Sequence, residues 1–153
     1  VSLIKVTKEL SFDAAHRIPD HAGKCKNMHG HTYRVQVTIG LPLCEFNQAD
    51  GMVMDFSDLS LLVRPMIDQL DHSLIVSEHD PLKREVQSMG IKVITMAGPP
   101  TAENMAIDIG MKLEEKMKPM SVILCSVRVW ETPTSFAEYE GQGGNPCQTC
   151  ESQ

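Results

Sequence analysis

The sequence has no excess of positive charge, no apolar run of membrane-spanning length and no even set of cysteines. Lys and Arg number 14 against 20 Asp and Glu, a net charge of -6. A nucleic-acid surface needs a basic stripe, so that class of partner is not expected. The opening VSLIKVTKEL carries no signal-peptide pattern, and no segment has the length a membrane helix requires. Together these absences lead to the expectation of a cytoplasmic protein without membrane or nucleic-acid partners. The five cysteines, at 25, 44, 125, 147 and 150, are odd in number and scattered, which excludes a disulfide framework. Reduced thiols are the default without a secretion signal. Cys147 and Cys150 have the spacing of half a four-cysteine zinc site, but no second half follows them. No internal repeat is present.

What is there fits one domain. The 153 residues, 42% hydrophobic and 22% charged, can bury a real core. Residues 1–140 are expected to form that domain, and 141–153, rich in Gly and Gln, a flexible tail.

The most informative stretch runs from Phe12 to Tyr33, FDAAHRIPDHAGKCKNMHGHTY, with four of the six histidines and Cys25. Upstream, Ile4, Val6, Leu10 and Phe12 share one parity, a strand with one buried face, and that parity continues through Ala14 to His16. Pro19-Asp20 and Ala22-Gly23 break regular structure, so residues 17 to 28 read as a loop holding Cys25. From His29 to Leu41 alternation resumes, with Tyr33, Val35, Val37 and Ile39 on the parity of His29 and His31. Two histidines at i and i+2 on a strand face the same way. His16, His29 and His31 are therefore the candidate metal ligands.

Further on, Asp55 or Ser57 can cap a helix starting near Leu59, whose apolar positions reach Leu70 at helical spacing. Pro65 is expected to kink or interrupt it. Residues 77 to 100 are irregular apart from a short strand at Ile91 to Ile94. Thr101 caps a second helix, with Glu103 in its first turn, that runs to about Lys118 before Pro119. Ser121 to Glu131 reads as a buried strand with Ile123, Cys125, Val127 and Val129 inward, and Ser135 to Tyr139 as a short last one. The expected fold class is α+β, helices on one face of an antiparallel sheet.

Three histidines without a fourth protein donor make the composition of a catalytic zinc site with one open position. Cys25, flanked by Lys24 and Lys26, is either a fourth ligand that closes a structural site or a free thiolate acting as base or nucleophile. Its spacing does not choose. Asp71 can orient His72 only if the backbone turns there; otherwise His72 merely favours a helix C-terminus. Glu131 ends an apolar stripe, and a buried carboxylate needs donors. It suits an amidine-like N–H pair such as the 2-amino and N3 edge of a pterin or guanine, and its bland alternative is a strand end reaching water.

The segments FDAAHRIP, CKNMHGHTYRVQVTI, GMVMDFSDL, LDHSLI, PPTAENMA and VWETPTSFAEY occur in that order from about Phe12 to Tyr139. Together they resemble the 6-pyruvoyl-tetrahydropterin and 6-carboxy-tetrahydropterin synthase family. The resemblance implies zinc on His16, His29 and His31, with Cys25 as the proton-abstracting thiolate and Asp71 and His72 as its partners. It implies Glu131 as the pterin anchor, with Thr101 and Glu103 beside the substrate. The fold it implies is the tunnelling fold (T-fold), a four-stranded antiparallel sheet with two helices on one face in the order ββααββ. The implied assembly is a homohexamer of two trimers with active sites between subunits.

The C-x-x-x-H-G-H spacing resembles the 6-carboxy branch, which serves queuosine and deazapurine synthesis; the pyruvoyl-forming enzymes typically carry a longer spacer, and a third branch has glutamate in place of Cys25. The implied reaction converts 7,8-dihydroneopterin triphosphate to 6-carboxy-tetrahydropterin, acetaldehyde and triphosphate. Arg17, Lys24 and Lys26 are candidates for the triphosphate. Two rivals stand beside this reading: a pyruvoyl-forming synthase, and a structural zinc-binding oligomer. The segment from Ser77 to Pro100 is longer than in compact members, and no functional residue is assigned to it.

Overall fold

The computed structural model describes residues 2–141; Cys147, Cys150 and nearly all of the expected tail lie outside them. The order is β1 (Leu3–His16), β2 (His29–Pro42), α1 (Phe56–Leu70), β3 (Ser73–Ser77), α2 (Lys83–Ser88), β4 (Val93–Met96), α3 (Ala102–Met117), β5 (Ile123–Thr132) and β6 (Ser135–Glu140). They build one six-stranded sheet in the order β4-β3-β1-β2-β5-β6.

β1 and β2 form its spine, antiparallel and in unbroken register from Leu3 opposite Pro42 to His16 opposite His29. Leu10, Phe12, Val35, Val37 and Ile39 line one face, and α1 and α3 cover it with Leu59, Val63, Ile67, Met105, Ile109 and Leu113. Each such fully buried side chain stabilises the fold by about 1.5–3 kcal/mol.

The expected four-stranded antiparallel sheet with two helices is too simple. β3 and β4 are added beyond β1, each parallel to its neighbour, so the sheet is mixed. Leu74, Ile75 and Val76 are all buried. A strand covered on both faces loses the alternation by which a strand is read. α2 is the third helix, and it does not share the face of the other two. Its Val86 packs with Leu74 and Val76, which point away from Ile75 and the main core. With one buried residue in six, α2 has no apolar period to read.

Smaller differences have local causes. Asp55 accepts the Ser57 N–H and starts α1 at Phe56, ahead of Leu59. Pro65 does not interrupt α1: it lies on the exposed face, where water can satisfy the carbonyl it strands. In β5 the register slips between Thr38 and Ile39 of the partner strand, so Cys125 is an extra residue. Leu124, not Cys125, then joins the main core, while the Cys125 sulfur lies against Gly40. Gly141, expected to begin the tail, donates its N–H to the Cys125 carbonyl at 3.0 Å.

Candidate metal and active site

Three imidazoles converge where β1 ends and β2 begins. His16 is fully buried, and His29 and His31 are half-buried. One nitrogen from each lies within 4.8 Å of the others. Phe12 and His16 share one parity on β1 and His29 and His31 one on β2, and the two sets meet on one face because the strands are paired to their ends, His16 opposite His29.

The outer nitrogens are tied down. His16 Nδ1 lies 2.7 Å from the Pro100 carbonyl, and His29 Nδ1 lies 2.8 Å from the Asn27 carbonyl. A carbonyl only accepts, so each Nδ1 carries the proton and each neutral ring turns a lone pair inward from Nε2. Those Nε2 atoms are 3.1 Å apart. Two lone pairs so placed repel unless a cation lies between them. A proton is poorly held there, because burial keeps the His16 pKa below the ordinary histidine range. His31 is lowered too, chiefly by burial. Its Nε2 is buried without a hydrogen bond; Glu131 Oε1, at 3.5 Å, is too far for one. Two tethered rings with inward lone pairs and a third with an orphaned nitrogen fit a metal ion.

Of the other sequence-predicted residues, Glu131 comes closest. It lies between Trp130 and Thr132 where β5 slips against β6, and such a bulge re-aims a side chain. Its carboxylate turns toward His31 instead of running out to water. Cys25 is half-buried in a single 3-10 turn, Lys24–Lys26, and its carbonyl accepts the Ile18 N–H at 2.8 Å. Thr101 caps α3 by accepting the Asn104 N–H, one residue after Pro100 has engaged His16. Glu103 is exposed in the first turn of α3.

Asp71 and His72 form a unit of their own. His72 has φ 54°, a backbone turn that brings its Nδ1 to 2.7 Å from Asp71 Oδ2. Asp71 Oδ1 accepts the Asp13 N–H, and the His72 N–H donates to the Asp13 carbonyl. These bonds tie the pair to β1 and leave the imidazole largely exposed. Within one chain they do not join it to Cys25.

Two participants carried no assignment from sequence. Tyr33 is fully buried, edge-on to the rings of His16 and His31, with its hydroxyl unpartnered. Its pKa is pushed far up by burial first, then by Glu131 and Cys25. Its parity with His29 and His31 was the available signal. The Pro100 carbonyl had none, because a backbone acceptor leaves no trace in residue type.

Comparison with known proteins agrees with this picture. The family model described as 6-pyruvoyl tetrahydropterin synthase matches residues 5–142. A curated relative from Haemophilus influenzae, named 6-carboxy-5,6,7,8-tetrahydropterin synthase, is 38% identical over 143 residues, covering 90% of this chain and 99% of the relative. Among solved structures, an uncharacterized protein from Wolinella succinogenes superposes with a TM-score of 0.80 at 22% identity, covering 92% of this chain and 99% of that one. The 6-pyruvoyl tetrahydropterin synthase of Plasmodium vivax gives 0.68 at 22% identity, covering 91% and 98%. The two structures share the fold; the match over nearly the whole length of both sequences goes further, and by it the chain belongs to the 6-pyruvoyl tetrahydropterin synthase family.

Proposed function

We propose that this protein is a zinc-dependent 6-carboxy-5,6,7,8-tetrahydropterin synthase acting on 7,8-dihydroneopterin triphosphate, with residues 1–140 as its catalytic domain. One observation carries the reading: three imidazoles face a single point, with lone pairs that only a cation reconciles, beside a carboxylate suited to a pterin edge. The name borne by the Haemophilus influenzae relative supports the 6-carboxy branch, as does the short spacing from Cys25 to His29.

His16, His29 and His31 would hold the zinc. Bound there, the metal supplies Lewis acidity to the hydroxyls of the substrate side chain and acidifies the adjacent carbon–hydrogen bond. Cys25 accepts that proton as general base. His72, oriented by Asp71, moves protons as triphosphate leaves and the side chain is cleaved. Glu131 receives the 2-amino and N3 hydrogens of the pterin, with Thr101 and Glu103 beside it. The largely exposed His72 would serve a neighbouring subunit's Cys25.

The fold's free edges suit an assembly in which subunits share sites. β1 pairs with β3 over Ala14–His16 only, leaving much of that edge unpaired, and β6 ends the sheet on the other side. Edge-to-edge pairing in trimers, two of which stack into a homohexamer, would remove both edges.

The deciding experiment incubates zinc-loaded protein with 7,8-dihydroneopterin triphosphate and assays acetaldehyde together with 6-carboxy-tetrahydropterin. Pyruvoyl product without acetaldehyde would move the protein to the other branch. X-ray absorption on the resting protein is expected to show nitrogen and oxygen ligands; a zinc–sulfur shell would make Cys25 a structural ligand instead.

A further inference from the structure

The segment between β3 and β4 carries a buried charge that the reaction outlined above does not use. Asp80 has a fully buried carboxylate, and its Oδ2 accepts the Arg17 Nε–H at 2.8 Å. Its Oδ1 accepts the Leu82 N–H at 2.9 Å, so both oxygens are engaged. Arg17 is itself only 18% exposed. A charge-assisted bond between two groups so far removed from water is strong and directional, and breaking it leaves a buried charge unpaired.

Its position gives the bond a consequence. Arg17 directly follows His16 and opens the loop that carries Cys25. The next residue, Ile18, donates its N–H to the Cys25 carbonyl and accepts the His21 N–H on its own carbonyl. The loop's remaining backbone bonds, Lys26 to Gly23 and Asn27 to Lys24, are internal to its one tight turn. Among the described residues, its side-chain ties to the rest of the fold are Arg17 to Asp80 at one end and His29 to the Asn27 carbonyl at the other. Cys25 thus hangs between a candidate metal ligand and a buried ion pair.

We propose that Asp80 is a positioning residue for Cys25, acting through the Arg17 guanidinium and the Ile18–Cys25 backbone bridge. This rests on the reading of Cys25 as the base. It gives the long segment from Ser77 to Pro100 a task in the site: its far end orients the His16 ring through Pro100, and its start fixes the residue after His16 through Asp80. Asp80 also accepts from the start of α2, so a purely local structural role is the alternative to be separated.

Asp80→Asn separates them, because it keeps an oxygen for the Leu82 N–H and removes the charge that holds Arg17. In the zinc-loaded protein, kcat is expected to fall about tenfold or more with KM within about twofold, the pattern of lost transition-state alignment. Hydrogen exchange at the Ile18 amide should rise about tenfold while the amides of Val6 to Phe12 in β1 stay unchanged, a local opening and not a global one. Asp80→Glu, which keeps the charge, should recover part of kcat. Arg17→Gln reads the same link from its less buried side and should reproduce the faster Ile18 exchange if Asp80→Asn folds poorly. Wild-type exchange at Ile18, or a uniform rise across β1, overturns the proposal. The exchange arm needs no substrate: faster Ile18 exchange in a variant of a wild type inert toward the pterin upholds the linkage and overturns the base assignment.

Discussion

At residue scale the site depends on which atoms are free after the backbone has taken its share. Pro100 and Asn27 occupy the outer nitrogens of His16 and His29, and the inner nitrogens are left with no partner but each other. Cys25 is not needed to complete this set, because three imidazoles already converge. Cys25→Ala should therefore keep its zinc, measured by elemental analysis, and its thermal midpoint, while turnover falls about 10²–10⁴-fold, the usual worth of a general base. Loss of zinc in that variant would make the thiol a ligand. Asp71 provides a pH test. Its pKa is lowered, first by the Asp13 backbone N–H and then by the His72 side chain. A carboxyl depressed in the folded state stabilises it above the ordinary carboxylate value, and that contribution is lost as pH falls through the lowered one. NMR titration should show the Asp13 amide and His72 imidazole shifting together below about pH 4. A transition at the ordinary aspartate value would refute the clamp.

At element scale the long strands and the two large helices are legible because each has one wet and one dry face. Leu10, Phe12, Val35 and Val37 alternate on strands, while Leu59, Val63, Met66, Ile67 and Leu70 recur at helical spacing. β3 and α2 break that condition in opposite ways: one is buried on every side, the other on almost none. The docking of α3 onto β6 is another feature with no periodic signature. A Cβ built at Gly110 would meet the Tyr139 ring at 2.2 Å, and the Tyr139 hydroxyl bonds Glu114 on the same helix. Gly110→Ala gains about 1 kcal/mol of helix propensity. The clash should cost more, since overpacking a filled contact typically costs about 1–3 kcal/mol and this overlap is severe. Chemical denaturation is expected to show net destabilisation; a stabilised variant would mean that the ring moves aside freely.

For the whole molecule, the proposed split of the site between Cys25 and the exposed Asp71–His72 pair would make assembly part of the chemistry. Analytical ultracentrifugation should find a six-chain species, and a stable monomer retaining turnover would show that one chain completes the site. The sequence by itself determined the candidate donor set and the two strands that carry it. Residue type and period-two spacing are local properties, so His16, His29, His31 and the face they share could be read without a fold. Cys25 could be named but not assigned, because ligand and base differ by geometry and not by spacing. Only the tertiary structure decided how His16 is oriented, by a carbonyl 84 residues away, and that Arg17 answers to a buried carboxylate on a distant turn. It also decided that the sheet has six strands, two of them parallel additions. Such pairings are made between segments far apart in sequence, through backbone atoms and buried charges that carry no periodic mark along the chain.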